Sequence, residues 1–288
     1  MAAENIEQID EWNGQLGQRW AELQDEIDGI VMPFGMAALE HAAPQSGERV
    51  IDIGCGCGGT TIELAQRVGA AGRVLGVDVS QPMLAVAQAR ALRDGLAAGD
   101  ATLEFRQADA STAELPAHRD LLFSRFGIMF FAQPVPALRH LRGALRAGGR
   151  LVFVCWRQPR DNPWAMAPLM AARQALGITP SPVDPHAPGP FAFADDRRLS
   201  ALLAEAGYAD IQLQRFDAPV LLGHSAQAAA ANAARIGPVS RMSRDLDTDQ
   251  VTRMLEAVQQ ALQPVAAADG SVRLAGSTWI VSATNPAA

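Results

Sequence analysis

From Arg49 onward, short β-rich runs of the sequence alternate with amphipathic segments of helical period. The runs RVIDIG and RVLGVDVS are each followed by a segment whose apolar residues recur at helical spacing. Strands that alternate with helices predict a mostly parallel sheet with helices on both faces. Such sheets bind ligands at the carboxyl ends of their strands. Residues at those ends are therefore the first candidates for a functional site.

The alternating pattern continues toward the C-terminus with two interruptions. Further strands are predicted at Thr102 to Gln107, Asp120 to Phe123, Arg150 to Trp156, Asp210 to Leu222 and Ser277 to Ala283. A helix with Leu138, Leu141 and Leu145 on one face precedes the third of these, and we expect Gly148 and Gly149 to end it. The proline-rich residues 157–194, and the residues after Leu222, predict two insertions.

Composition excludes several function classes. The net charge is −7 and every one of the 24 basic residues is Arg, so no lysine can form a Schiff base or bind phosphate in a P-loop. An acidic chain with scattered Arg is a poor nucleic-acid binder. The three cysteines lack zinc-site spacing, so no metal site is predicted. No apolar run is long enough to span a bilayer and no signal-peptide pattern is present, so we expect a cytoplasmic protein.

A glycine-rich loop, residues 52–59, follows the first strand and opens a helix. Glycine lets a ligand approach the backbone closely because it has no Cβ. Gly54, Gly56 and Gly59 satisfy the G-x-G-x-x-G pattern of dinucleotide-binding proteins. The loop alone therefore leaves a nicotinamide-dependent oxidoreductase open.

Two carboxylates follow the next strands. Asp78 closes the second strand, where it could accept hydrogen bonds from both hydroxyls of an adenosine ribose. The alternative is a helix N-cap, although Ser80 is better placed for that role. Asp109 closes the predicted third strand, where it could accept a hydrogen bond from an adenine amino group, or could be a turn residue before Ser111.

Five motifs in order resemble class I S-adenosylmethionine-dependent methyltransferases. They are IDIGCGCGG, VLGVDVSQPML, FRQADASTAELP, LLFSRFGIMFF and LRAGGRLVFVCW. The resemblance covers about residues 47–156 and is to the ubiquinone/menaquinone-biosynthesis-like branch of small-molecule methyltransferases. It implies a Rossmann-like, doubly wound α/β fold with a seven-stranded sheet, mostly parallel, whose last strand is antiparallel. A dinucleotide oxidoreductase would need a second binding half, and the sequence shows none.

The resemblance implies S-adenosyl-L-methionine as cofactor and S-adenosyl-L-homocysteine as product. In this family, Gly54, Cys55 and Gly56 would lie along the methionine part of the cofactor. Asp78 would hold its ribose, and Asp52 would organise the loop or the cofactor's amino group.

The adenine site follows from the same resemblance. Val79 and Met83 would pack against the ring, and Asp109 and Ala110 would bind its edge. The backbone of Ser124, after the fourth strand, would face the cofactor.

The chain is expected to have three parts. Residues 1–46 form an N-terminal helical lid, residues 47–156 the cofactor-binding core, and residues 157–288 the rest of the sheet with two insertions. Gly14 and Gly17 interrupt the first part between Trp12 and Trp20. These tryptophans either exclude water from the reacting centre or pack an amphipathic helix on the core.

The methyl acceptor is not readable from the sequence. The insertions are expected to build its pocket, and their residues suit an apolar or aromatic small molecule: Trp164, Met166, Met170, Phe191 and Phe193. No catalytic base is assigned, since His186 and His224 lie in or beside the insertions without a partner carboxylate. The missing base leaves a catalytically silent cofactor-binding protein as the alternative function.

Overall fold

A computed structural model describes residues 5–96, 102–179, 184–243 and 246–287 of the chain. Seven strands in this part of the chain form one sheet. They are β1 (Arg49–Ile53), β2 (Arg73–Asp78), β3 (Leu103–Gln107), β4 (Arg119–Arg125), β5 (Leu145–Trp156), β6 (Ala209–Gly223) and β7 (Val272–Thr284).

The order of strands across the sheet is β3-β2-β1-β4-β5-β7-β6. Strands β1 to β5 are parallel, and β7 is antiparallel to both of its neighbours. Trp279 of β7 pairs with Cys155 on one side and with Arg215 on the other. This confirms the predicted Rossmann-like fold with an antiparallel last strand, which begins earlier than predicted, at Val272.

Helices cover the sheet. In chain order they are α1 (Ile6–Asn13), α2 (Gln15–Glu22), α3 (Gln24–Ala42), α4 (Gly59–Val68), α5 (Gln81–Arg93), α6 (Pro134–Ala144), α7 (Pro163–Leu176), α8 (Asp196–Glu205), α9 (Ala226–Arg235), α10 (Pro238–Met242) and α11 (Thr248–Leu262). Helix α11 begins at a capping box in which Asp247 and Gln250 exchange side-chain to backbone hydrogen bonds. Its Met254 and Val258 are buried, because α11 packs against α7 and α9.

The predicted end of the helix before β5 is wrong. Helix α6 ends at Ala144, and Leu145 is already extended and pairs with Arg119. Gly148 and Gly149 lie inside β5. A Cβ on Gly149 would lie 2.9 Å from the carbonyl oxygen of Arg119, so this glycine permits a close strand contact and does not end a helix.

Candidate functional site

A large cavity runs along the carboxyl edge of the parallel strands. Its volume is about 1120 Å³, above the roughly 300–1,000 Å³ of most ligand pockets. Eight of the ten predicted cofactor residues line it: Gly54, Cys55, Gly56, Asp78, Val79, Met83, Asp109 and Ala110. The wall also includes residues of α1, α2, α3 and both insertions. One space therefore joins the predicted cofactor site to the predicted acceptor pocket.

The glycine loop is held against neighbouring backbone. Gly54 has a φ of 67°, and a Cβ there would lie 2.8 Å from the Cα of Gly127. The backbone N–H groups of Gly54 and Cys55 donate to the carbonyl of Val77, at 2.8 and 3.1 Å. The first loop glycine is thus required both by its left-handed backbone and by close packing.

Asp78 ends β2 and binds the loop. Its Oδ2 accepts a hydrogen bond from the Gly56 N–H at 2.7 Å, and its Oδ1 accepts one from the Ser80 N–H at 2.8 Å. Burial raises the pKa of Asp78, although these hydrogen bonds oppose the shift. Ser80, not Asp78, occupies the N-cap position of α5, as predicted. Its side chain makes no capping hydrogen bond, because the hydroxyl donates instead to the Trp12 carbonyl at 2.7 Å.

Strand β3 ends at Gln107, as predicted, so Asp109 lies two residues beyond the strand and does not close it. Its Oδ1 accepts hydrogen bonds from the N–H and the hydroxyl of Ser111, at 2.9 and 2.7 Å. Its Oδ2 accepts a short hydrogen bond from the side-chain amide of Asn5. Asp109 is therefore a turn residue and also lines the cavity.

The N-terminal helices lie over the ends of β2 and β3. The Asn13 side chain donates to the Val79 carbonyl at 2.9 Å. The Trp12 ring makes edge contacts with Trp20 at 5.4 Å and with Phe130 at 5.6 Å between ring centroids, and all three line the cavity. Sequence reasoning missed Asn5 and Asn13, because no pattern in the chain pairs them with distant strand ends.

Only one of the two predicted glycine interruptions breaks a helix. Gly14 separates α1 from α2, whereas Gly17 lies within α2. A Cβ on Gly17 would lie 1.8 Å from the Trp12 carbonyl oxygen. Gly17 therefore permits α2 to pack against the end of α1.

Asp52 and Ser124, the other two predicted cofactor residues, are fully buried and are not among the residues that line the cavity. Asp52 Oδ2 accepts hydrogen bonds from the hydroxyls of Thr60 and Thr61, at 2.8 and 2.7 Å, while its Oδ1 has no partner in the described chain. Burial raises the pKa of Asp52 to about 6. The Ser124 hydroxyl donates to the Ile53 carbonyl at 2.7 Å. Asp52 thus ties the end of β1 to the first turn of α4, whereas Ser124 ties β4 to the end of β1.

An aromatic wall, defined here as Phe126, Trp156 and Trp164, lines another part of the cavity. Phe126 stacks on Trp156 with centroids 4.4 Å apart and planes 14° from parallel, and Trp156 contacts Trp164 at 4.9 Å. Phe126 has a φ of 59°, which is strained for an aromatic residue. Sequence reasoning included Trp164 but missed Phe126 and Trp156.

The other predicted acceptor residues separate into two groups. Met166 and Phe191 line the cavity. Met170 is 64% exposed and points away from it, while Phe193 is buried against Phe153 in the core.

Among the described residues, the cavity is lined by one histidine and five aspartates that could take part in acid–base chemistry: Asp28, Asp78, Asp109, Asp184 and Asp195. His186 lines it, and none of the other four histidines does. Cys55 and Cys57 also line it, but burial raises the pKa of the Cys57 thiol to about 12 and that of Cys55 well above its usual value. Both cysteines are therefore thiols, not thiolate nucleophiles, near neutral pH.

The chain has the class I methyltransferase fold. Its defining features are the strand order, the antiparallel β7 and a glycine loop flanked by carboxylates at the strand ends. Residues 50–149 match the family described as a methyltransferase domain. Residues 50–149 therefore form a methyltransferase domain, and the chain is similar to class I S-adenosylmethionine-dependent methyltransferases.

Similar proteins include two curated methyltransferases. The chain is 34% identical over 122 residues to aklanonic acid methyltransferase DauC of Streptomyces sp. strain C5, covering 42% of this chain and 54% of that protein. It is 33% identical over 124 residues to the ubiquinone/menaquinone biosynthesis C-methyltransferase UbiE of Azotobacter vinelandii, covering 43% and 48%. The chain thus spans about half the length of these relatives.

Among solved structures, the YcgJ protein of a Bacillus species superposes with a TM-score of 0.58 at 16% identity. The superposition covers 88% of this chain and 98% of that one. This similarity concerns the fold.

No helix in the described residues has the length and apolar character of a membrane span.

Proposed function

We propose that this protein transfers the methyl group of S-adenosylmethionine to a small apolar or aromatic acceptor. The observation that carries the proposal is the single cavity in which the glycine loop, Asp78 and Asp109 face the same space as the aromatic wall. A cavity of about 1120 Å³ has room for a nucleoside cofactor together with a second molecule.

The donor set of the cavity fits the cofactor. Asp78 and Asp109 offer carboxylate oxygens to ribose hydroxyls and to an adenine amino group, and they lie at and just beyond the ends of the neighbouring strands β2 and β3. Val79 and Met83 would flank the adenine, while Gly54 to Gly56 would follow the methionine chain. Asp52 and Ser124 would act from beneath by holding the loop.

Methyl transfer mainly requires that the acceptor atom, the methyl carbon and the sulfur are aligned, and it requires no covalent intermediate with the protein. The cofactor supplies a methyl group on a positively charged sulfur, and an acceptor atom displaces it in line. The chain's own residues would bind both molecules, orient them and exclude water. Residues 1–46 would act as the lid through Trp12 and Trp20, and residues 157–288 would shape the acceptor pocket through Trp164, Met166 and Phe191.

Calorimetric titration with S-adenosylmethionine, S-adenosylhomocysteine, NAD⁺ and NADP⁺ tests the proposal. We expect micromolar binding of the first two compounds alone, followed by methyl transfer to an acceptor from a panel of phenols, aromatic acids and amines. Binding of the dinucleotides would overturn the assignment. Cofactor binding without turnover of any apolar or aromatic acceptor would favour a catalytically silent protein.

A further inference from the structure

A single carboxylate in the N-terminal region holds two arginines of the core. Asp28 of α3 binds Arg125 through Oδ1 and Arg90 through Oδ2, each at 3.0 Å. The three side chains are only 14%, 11% and 16% exposed, respectively. One carboxylate between two guanidinium groups leaves one positive charge, which is costly to bury without a further anionic partner. The buried carboxyl of Asp52 lies close enough to Arg125 for the arginine's charge to lower its pKa, and it offsets part of that charge.

The two arginines differ in what they offer to a ligand. Arg90 donates from Nη1 to the Cys57 carbonyl at 2.9 Å, its Nε is buried, and it is not among the residues that line the cavity. Arg125 does line the cavity, and its Nη1 contacts Asp28 and the sulfur of Met32. Its Nε and Nη2 have no hydrogen-bond partner among the residues that the structure describes. That edge of the guanidinium is the planar fork that binds a carboxylate with two parallel hydrogen bonds.

The position of Arg125 along the sheet indicates which carboxylate it would meet. The order β3-β2-β1-β4 places Asp109, Asp78, the glycine loop and Arg125 in succession along the carboxyl edge, with roughly 4.8 Å between neighbouring strands. A cofactor with its adenine at Asp109 and its ribose at Asp78 extends over the loop toward β4. Its amino-acid end then arrives at Arg125.

Asp28 lies at the same end of the loop. Both of its carboxylate oxygens would be 3.3 Å from a Cβ placed on Gly59, the first residue of α4. A carboxylate has about four lone-pair positions, and Arg125, Arg90 and Gln24 occupy three of those of Asp28. Asp28 lines the cavity, so a cationic group there could reach the remaining position.

We propose that Arg125 and Asp28 together bind the amino-acid end of the cofactor. The free edge of Arg125 receives the α-carboxylate and Asp28 receives the α-ammonium group. An α-amino acid carries both charges on one carbon, so a neighbouring cation and anion match it. This inference rests on the proposed function, because it assumes that the cofactor occupies the cavity.

The test compares two ligands that differ in that end alone. S-adenosylhomocysteine has the amino-acid end, whereas methylthioadenosine has the same nucleoside and thioether without it. We expect the wild type to bind S-adenosylhomocysteine at least about tenfold more tightly than methylthioadenosine. In Arg125→Gln the ratio of the two affinities should fall by about tenfold or more, while the affinity for methylthioadenosine stays unchanged. Arg125→Lys keeps the charge but loses the fork, so it should retain part of the preference.

Arg90→Gln is the matched control, because it removes the other ion pair of Asp28 without changing the cavity wall. It should keep the ratio of the two affinities. If the ratio of the two affinities is unchanged in folded Arg125→Gln, the inference is wrong. If that variant does not fold, an unchanged ratio in Arg125→Lys has the same meaning. A fall of the ratio in Arg90→Gln as large as that in Arg125→Gln would also overturn the inference. Failure of the wild type to bind either ligand would instead overturn the proposed function.

Discussion

The carboxylate of Asp78 accepts a hydrogen bond from the backbone N–H of Gly56 at 2.7 Å, which joins the end of β2 to the glycine loop. The Ser80 N–H holds the second oxygen at 2.8 Å. Both oxygens are thereby oriented before any ligand binds. A pre-oriented carboxylate loses less entropy on binding than a freely rotating one.

Asp78→Ala should therefore weaken binding of S-adenosylmethionine and S-adenosylhomocysteine by roughly 1.5–3 kcal/mol, the range for hydrogen bonds to a charged group. Calorimetric titration measures the change. Asp94→Ala is the control, because Asp94 lies at the end of α5, is not part of the cavity wall and pairs with exposed Arg93. Unchanged affinity in folded Asp78→Ala would remove Asp78 from the site.

The sheet was predictable because its signals are local. The strands β1, β2, β4 and β5 each carry a local apolar run, and the five motifs appear in chain order. The boundary at Leu145 was not predictable, since this residue is buried and apolar in either a helix or a strand. Tertiary pairing with Arg119 decides its conformation.

The site was predictable only in part. Glycine spacing and the carboxylates after β2 and β3 are visible in the sequence, whereas Asn5 meets Asp109 across 104 residues and Asp28 meets Arg125 across 97. No periodicity connects such pairs. The side chains that the N-terminal helices contribute to the cavity can therefore be identified only from the structure.

The stability of the protein should depend on the protonation of Asp52. Burial raises the pKa of Asp52 in the folded protein to about 6, against roughly 3.9 in an unfolded chain. The folded state thus binds this proton more tightly. The resulting stabilisation is complete below about pH 4 and is lost as the pH rises through about 6, a change of about 3 kcal/mol.

Urea unfolding of the wild type and of Asp52→Asn, from about pH 4 to about pH 7, measures this effect because asparagine does not titrate. The free energy of unfolding of the wild type should fall relative to that of the variant as the pH rises. A difference that stays constant over this range would show that Asp52 titrates normally.

Gly17→Ala should displace helices α1 and α2 from the end of the sheet. The added Cβ would lie 1.8 Å from the Trp12 carbonyl oxygen and 2.7 Å from the Ser80 hydroxyl. We expect a destabilisation of about 1–3 kcal/mol by overpacking, together with a several-fold loss of cofactor affinity because Trp12 lines the cavity. If the N-terminal tryptophans only pack the core, stability will fall and affinity will not.

Gly29→Ala is the matched control for this substitution. Gly29 lies inside α3, and a Cβ there would have no atom within 4 Å. Alanine is favoured over glycine in a helix, so the variant should be stabilised by about 0.5–1 kcal/mol. Thermal unfolding and cofactor titration of both variants separate the steric effect of Gly17→Ala from the general effect of a glycine replacement.

Helix α7 allows a direct test of the acceptor pocket. Met166 lines the cavity, whereas Met170, one turn later, is 64% exposed to solvent and does not. Once an acceptor is known, Met166→Ala should raise its KM several-fold and leave cofactor affinity unchanged, because the side chain contributes apolar surface to the acceptor end alone. Met170→Ala should change neither quantity. If Met166→Ala lowers the melting temperature without changing the acceptor KM, this methionine only packs α7 onto the sheet, and the acceptor binds elsewhere along the cavity.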